Sequence, residues 1–415
     1  MRAAICCFCL SVYCQAEQAK PYKTYKAPSA AERQQVVERA LQFLVKGQNE
    51  NGSFGQYKEV GVTSATLHAL VLSDAKYRNP ENEVTLAAMA FLLNNVQPDG
   101  RITDGKGYDN YKTSLAVSAL SAMPENIYRS ALDNIVKQKR LAEGKKKGPL
   151  SRERLMTSVR DWLGKQQGTE ANGFDRNRDP NYGGQGYGGV PMPDLSNSQF
   201  AMDAMHSLGI RQGHPFFNRM EIFVNRTQNL RAVNDLTDKA KFPELKNFAV
   251  QDDGGFAYAP TVSKSAEIRQ ADGKKFAKSY ASITAAGLKT LIQLGAKKED
   301  IRVQRAKAWL GTNYSLEKNS GLDMPGDTSK GSQGLYYFYW TFARAMSALG
   351  DKTLKLKDGA EINWAEQIAG KLKSLQRKDG SWLNEQDRWQ EGDPYLVTSY
   401  CLVALHHCDK ALNKQ

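Results

Sequence analysis

The chain has 415 residues, 41% of them hydrophobic and 24% charged, with a formal net charge of +13. That length buries a sizeable core, and beyond the first 20 residues no apolar run reaches the ~18 residues of a membrane-spanning helix. Lys and Arg are spread along the chain, with one run at Lys145, Lys146 and Lys147; no basic helix interleaved with aromatics appears, which excludes nucleic acid as a partner. The charge describes a solvated basic surface whose natural partners are an anionic envelope polymer or a membrane surface.

The N-terminus, "MRAAICCFCLSVYCQAEQA", has one basic residue, an apolar stretch from Ala3 to Tyr13 and then small residues. It reads as an export signal over residues 1–19, cleaved after Ala16 or Ala19, and so as the leader of a bacterial periplasmic or extracellular protein. A linker at 20–29, a single domain at 30–408 and a tail at 409–415 follow. Cys6, Cys7, Cys9 and Cys14 lie in the leader, leaving Cys401 and Cys408. Seven residues apart on a predicted helix, their Cα atoms are roughly 10 Å apart, beyond the ~7 Å that a disulfide bridges.

Six segments share one pattern: "TSATLHAL" from Thr63, "TSLAVSAL" from Thr113, "SQFAMDAM" from Ser198, "ASITAAGL" from Ala281, "YWTFARAM" from Tyr339 and "TSYCLVAL" from Thr398. They are small, apolar and nearly uncharged, as buried helices are. Before each, an amphipathic helix is expected, at Val37–Leu44, Leu86–Leu93, Ile127–Val136, Phe216–Val224, Val303–Leu310 and Ile368–Leu375. Between the two comes a Gly-aromatic corner: "QNENGSF" from Gln48, "QPDGRI" from Gln97, a looser "ANGF" from Ala171, "QDDGGF" from Gln251 and "QRKDGSW" from Gln376, with a degenerate copy around Asn319–Leu322. Asp-Gly or Asn-Gly supplies the positive φ that stops a helix. The aromatic anchors the loop, and the Gln amide is placed to bond orphan carbonyls or the neighbouring repeat. Insertions are expected at about 142–153 and 230–250. The fold expected is all-α: an (α/α)6 toroid of six helical hairpins with inner and outer helix layers.

The Gln–Gly–aromatic corners resemble those of the prenyltransferase and squalene-cyclase repeat superfamily, from about Ala30 to Cys408. The resemblance implies an apolar, isoprenoid-type ligand in a central cavity. It does not extend to catalytic signatures. Squalene-cyclase-type relatives start the reaction from Asp-x-Asp-Asp-Thr; here "DLSNSQ" from Asp194 keeps only the first Asp, with Ser196 and Asn197 in place of the acids. Prenyltransferase-type relatives hold zinc through Asp, Cys and His; Asp327 has no Cys beside it, and Cys401, His406, His407 and Cys408 fit no tetrahedral spacing. The thioester motif Gly-Cys-Gly-Glu-Gln is absent. No metal, no cofactor and no catalytic residue is assigned.

Around such a cavity the starts of the inner helices bring Tyr111, Asp194, Asn197, Tyr280, Tyr336, Tyr337 and Tyr395 together, with Lys112 and Lys278 nearby and Trp340 one turn deeper. These are the expected ligand-binding residues, suited to an apolar chain, a cation or a sugar face. Asp194, after Pro193, also reads as an N-cap. The glycine-rich Pro180–Asp194 reads as a lid carrying Tyr182 and Tyr187. Three functions remain: an isoprenoid-handling enzyme or binder; a non-catalytic envelope scaffold; and a polysaccharide lyase or hydrolase, with Tyr280 or Tyr337 as base and Arg344 or Lys278 as neutraliser.

Overall fold

A computed structural model describes residues 22–56, 59–133, 151–189, 192–265, 268–269, 272–324 and 326–413; the leader and the run Lys145–Lys147 lie outside the described residues. The chain is all-α, with thirteen helices among the described residues and two two-stranded ribbons. The helices are α1 (Ala30–Lys46), α2 (Val60–Ser73), α3 (Glu83–Asn94), α4 (Asp109–Ser121), α5 (125–133), α6 (Arg152–Lys165) and α7 (Leu195–Ser207), then α8 (Pro215–Thr227), α9 (Ala281–Gln293), α10 (Ile301–Thr312), α11 (Leu335–Leu349), α12 (Trp364–Leu375) and α13 (Pro394–Leu412).

The six helices that carry the repeated pattern are α2, α4, α7, α9, α11 and α13. Small side chains let them be buried nearly all round: in α2 every residue from Val60 to Leu67 is buried. Each packs on the next in chain order, and α13 packs back on α2. The amphipathic helices α1, α3, α6, α8, α10 and α12 rest against this circuit; α1, for example, buries Val36, Ala40, Leu41 and Leu44 along one stripe and starts with a capping box between Ser29 and Glu32.

Most corners lock their pair in one or both of two ways. First, the loop backbone is caught by a hydroxyl of the following buried helix: Phe54 N donates to Thr63 Oγ1 (3.0 Å), Ile102 N to Thr113 Oγ1 (3.1 Å), Phe256 N to Thr284 Oγ1 (3.0 Å) and Trp382 N to Thr398 Oγ1 (3.2 Å). All four side chains are fully buried. The hydroxylated residues of the repeat therefore serve the corner. Second, a Gln amide joins its own corner to the next amphipathic helix. Gln48 Nε2 donates to Gly52 O and Val84 O, Gln167 Nε2 to Gly183 O and Phe216 O, and Gln228 Nε2 to Gly254 O and Arg302 O. Gln376 Nε2 donates to Gly380 O and to Val36 O of α1, both at 2.9 Å, so the last pair is tied to the first. Gly380, at φ 91°, is required twice over: a Cβ there would stand 2.4 Å from Arg39 O.

Three sequence expectations are corrected. The amphipathic helix beside α7 is α6, which packs on α4 and α7; of the Ile127–Val136 pattern, residues up to 133 are helix, over 125–133, and the rest lies outside the described residues. The third corner is not "ANGF", where Gly173 is exposed, but the buried Tyr182–Gln185, with Gln185 N bonded to Ser198 Oγ (2.9 Å). The fourth corner takes its amide from Gln228 rather than Gln251, because the insertion separates amide and glycine in sequence while Gly254 N still bonds Asn229 O (2.7 Å). That insertion builds a small core of its own from Leu236, Phe242, Phe248, Val250, Ala257 and Ala277. Buried Arg226 stitches it down through Asp235 (2.8 and 3.1 Å) and the carbonyls of Asp179 and Arg176.

The ribbons, β1 (Ile268–Arg269) with β2 (Lys275–Phe276) and β3 (Thr353–Lys355) with β4 (Glu361–Asn363), are antiparallel connectors. Residues 22–29 do not hang free: Tyr25 N donates to Gln367 Oε1 (2.8 Å) and Gln367 Nε2 returns to Tyr25 O (3.2 Å) along α12. At the other terminus Asp409 pairs with Arg33 at 2.5 Å. Cys401 and Cys408 are free thiols in the core.

Candidate ligand cavity

The N-terminal halves of the six buried helices converge on a cavity of about 200 Å³. Tyr111 and Lys112 reach it from α4, Ser196, Asn197 and Phe200 from α7, Ser282 and Ile283 from α9, Tyr337 from α11 and Tyr400 from α13, with Gly61 of α2 leaving room. Loops add Glu59, Tyr108, Tyr187, Tyr258, Tyr280, Trp389 and Gln390. Seven tyrosines, a phenylalanine and a tryptophan thus face one space.

The phenols are held in pairs. Tyr111 and Tyr400 hydroxyls are 2.7 Å apart, Tyr187 and Tyr258 hydroxyls 3.1 Å. The Tyr337 hydroxyl accepts from Gln199 Nε2 (2.8 Å) and meets Ser196 Oγ at 3.0 Å. Burial pushes the Tyr111 phenol up to about 12 and raises those of Tyr258, Tyr280, Tyr337 and Tyr400 well above the ordinary phenol value. A phenol so disfavoured as an anion is no base near neutrality. Lys112 is spent on an ion pair with Asp104, whose other oxygen caps Val60 N. Lys264 Nζ lies 4.0 Å over the Tyr258 ring.

Two carboxyls stand just behind the wall. Asp194 caps α7: Asn197 N and Nδ2 each donate to it at 2.8 Å, and burial, only partly offset by those bonds, raises it to about 6. Since the carboxylate can only accept, the Asn197 amide must turn its NH2 to Asp194; its Oδ1 is left buried without a partner. Glu391 is raised to about 7 by burial while accepting from Tyr337 N and Asn384 Nδ2, each at 2.6 Å. It closes the N-terminus of α11, where a negative charge suits the helix dipole.

The floor is aromatic. Phe200 stacks on Trp340 (5.3 Å), and Trp340 also meets Tyr400 (5.3 Å) and Tyr337 (5.6 Å). Below it, towards the C-terminal ends of the same helices, Asp203 is bonded by Lys289 and by Gln293 Nε2 (2.8 Å), and Arg344 approaches its second oxygen at 2.8 Å. Arg344 also lies 4.4 Å over the Trp340 ring. Burial works against the Asp203 carboxylate, but Arg344 and Lys289 outweigh it and hold the group well below its usual range. Burial, reinforced by Arg344, keeps His68 and His407 neutral, His68 at about 4.

Of the residues singled out in the sequence, Tyr111, Asn197, Tyr280 and Tyr337 line the cavity. Asp194 stands one layer behind as the cap. Trp340 is floor rather than wall. Tyr336 turns outward to Tyr339 (5.5 Å), because consecutive helical residues point about 100° apart and Tyr337 takes the inward direction. Tyr395 stacks on Phe43 of α1 (5.1 Å) on the far side of α13. Lys278 lies in a separate surface groove with Trp309 and Tyr314. The glycine-rich segment is a buried corner, not a lid: Tyr182 is buried with its hydroxyl on Glu170 (3.2 Å), whereas Tyr187 faces the cavity. Missed were Phe200, Ile283 and Tyr400, all at the third position of the repeated pattern, so the pattern itself carried their signal. Tyr108, Tyr258 and Trp389 come from loops and carried none. Among the described residues no group of three or more His, Cys, Asp or Glu is placed to hold a metal ion, and no helix is long and apolar enough to cross a membrane.

No family model and no curated protein matches the chain. Solved structures do. The type II terpene cyclase MstE from Scytonema, without ligand, has a TM-score of 0.46 at 13% identity, over 92% of this chain and 99% of that one. A variant of that enzyme with merosterolic acid A gives 0.44 at 13%, over 92% and 98%. A protein from Actinoplanes gives 0.32 at 12%, over 92% and 99%.

Proposed function

We propose that the closed circuit of helices is the inner layer of an (α/α)6 toroid, and that its aromatic cavity binds an apolar, isoprenoid-type molecule outside the cytoplasm. The observation that carries this reading is the convergence of seven tyrosines, Phe200 and Trp389 on one space. Such walls gain from burying hydrocarbon and unsaturated groups, and their paired hydroxyls leave few polar points to satisfy. We read the site as a binding cavity rather than a protonating one: at the position of an acid, Ser196 shares a hydrogen bond with Tyr337, and Asp194 has both oxygens engaged by Asn197. Export rests on the leader sequence alone.

The other two readings fare worse. A lyase needs a cation beside its tyrosine base, but Arg344 is paired with Asp203 beneath the floor and Lys278 is in another groove. A scaffold has no use for a hollow centre. The test is titration of the protein with farnesol, geranylgeraniol and squalene, followed by Trp fluorescence and native mass spectrometry. Saturable one-to-one complexes are expected. Absence of any complex, with binding or cleavage of a uronate polymer instead, would overturn the reading.

A further inference from the structure

Among the described residues twenty glycines have positive φ, and only four other residues do: Tyr108 (58°), Asp252 (63°), Trp389 (61°) and Gln390 (64°). The chain ordinarily meets left-handed backbone with glycine, which adopts it without the steric cost borne by a side chain. Three of the four exceptions line the cavity. Two of these are large aromatics that also remain in water, Tyr108 at 54% exposure and Trp389 at 39%. Strain and exposed apolar surface are both unfavourable, and here they coincide twice at one cavity, in the α3–α4 and α12–α13 connections. Neighbours hold both rings in place. Tyr108 stands edge-on to Tyr187 at 5.1 Å. Trp389 lies over Gly334, where a Cβ would stand 2.9 Å from its ring, and takes the Arg388 guanidinium at 4.8 Å. Glu391, two residues on, is fastened to the start of α11.

We propose that Tyr108 and the Trp389–Gln390 pair are ligand-binding residues that grip the part of an apolar ligand projecting from the cavity, and so select for its length. This rests on the cavity being a ligand site. The space itself, about 200 Å³, is below the roughly 300–1,000 Å³ of pockets that enclose drug-sized molecules. A long chain must therefore extend past the mouth, where these rings are the apolar surface it meets. Backbone strain held at a ligand clamp is a known use of such residues.

The test uses Tyr108→Gly, Trp389→Gly and Tyr108→Phe in the full chain, with thermal melting and titration by geraniol, farnesol and geranylgeraniol. The glycine variants are expected to melt at or above the wild-type temperature, because glycine relieves the strain. Their affinity for geranylgeraniol should fall by about tenfold, the worth of a lost aromatic contact, with a smaller loss for farnesol and the least for geraniol. Tyr108→Phe should bind as wild type does. Glycine variants that bind all three alcohols as tightly as wild type, or that melt distinctly lower, would overturn the clamp alone. A wild-type protein that binds none of the three would overturn the cavity reading and the clamp with it.

Discussion

The two ends of the helix circuit are built from the same six helices and could hardly differ more. At the N-terminal ends the side chains are tyrosines around a hollow, and the groups that close the helix starts are acids: Asp194 at α7, Glu391 at α11, Asp393 at α13, Asp104 at α2. At the C-terminal ends the space is filled, and Lys289 and Arg344 share one carboxylate among neutral histidines. Helix dipoles account for the sorting, since acids suit the starts and bases the ends of helices. Packing accounts for the rest: an ion cluster walled off by Phe200 and Trp340 supports the structure, while the cavity above it is left for something else.

The largest effect expected is at the filled end. Asp203→Asn leaves Lys289 and Arg344 without their counter-ion and should cost about 3–5 kcal/mol, read from the denaturant midpoint, with ligand affinity little changed in the protein that remains folded. If the loss is small, the cluster is solvated and the contrast fails.

The ends should also respond oppositely to acid. The Asp194 carboxyl is raised to about 6, so the folded state takes up its proton first. Its contribution to stability therefore grows as pH falls through that value and is lost as pH rises. The span from its ordinary value is on the order of 3 kcal/mol. Asp194→Asn should remove that acid-side gain, seen as a flatter melting temperature against pH. His68 has the reverse sign: it is held at about 4 against 6.5, so stability is lost as pH falls through that interval, and His68→Gln should lose less than wild type.

The partition between the ends is tested by Phe200→Leu, which thins the floor. A cost of about 1–2 kcal/mol is expected, together with weaker ligand binding measured by titration; a loss confined to stability would separate floor from site. The smallest effect expected is that of Tyr337→Phe. Removing the hydroxyl shared by Gln199 and Ser196 should cost about 1 kcal/mol, checked by the same denaturation, while binding of a hydrocarbon such as squalene is retained.

Much of this was written in the chain in readable form. The positive-φ glycines, the buried aromatics and the bridging glutamines of the corners are local devices, because a helix must stop and its last carbonyls must be satisfied within a few residues. The small-residue helices announced their burial by having no polar face. The reading slipped where an insertion divided a device: Gln228 and Gly254 act together across a folded loop, and Tyr182–Gln185 replaced a nearer look-alike.

Sequence by itself determined that the chain is all-α, that helices come in buried and amphipathic pairs, and where most pairs turn. Only the tertiary structure decided which aromatics face the cavity. Tyr336 and Tyr337 differ by one step of helical phase, Tyr395 and Tyr400 lie on opposite faces of α13, and Tyr108, Tyr258 and Trp389 arrive from loops remote in sequence. Helix formation is governed by neighbours along the chain; a cavity is governed by the relative rotation of packed helices, which no single helix encodes.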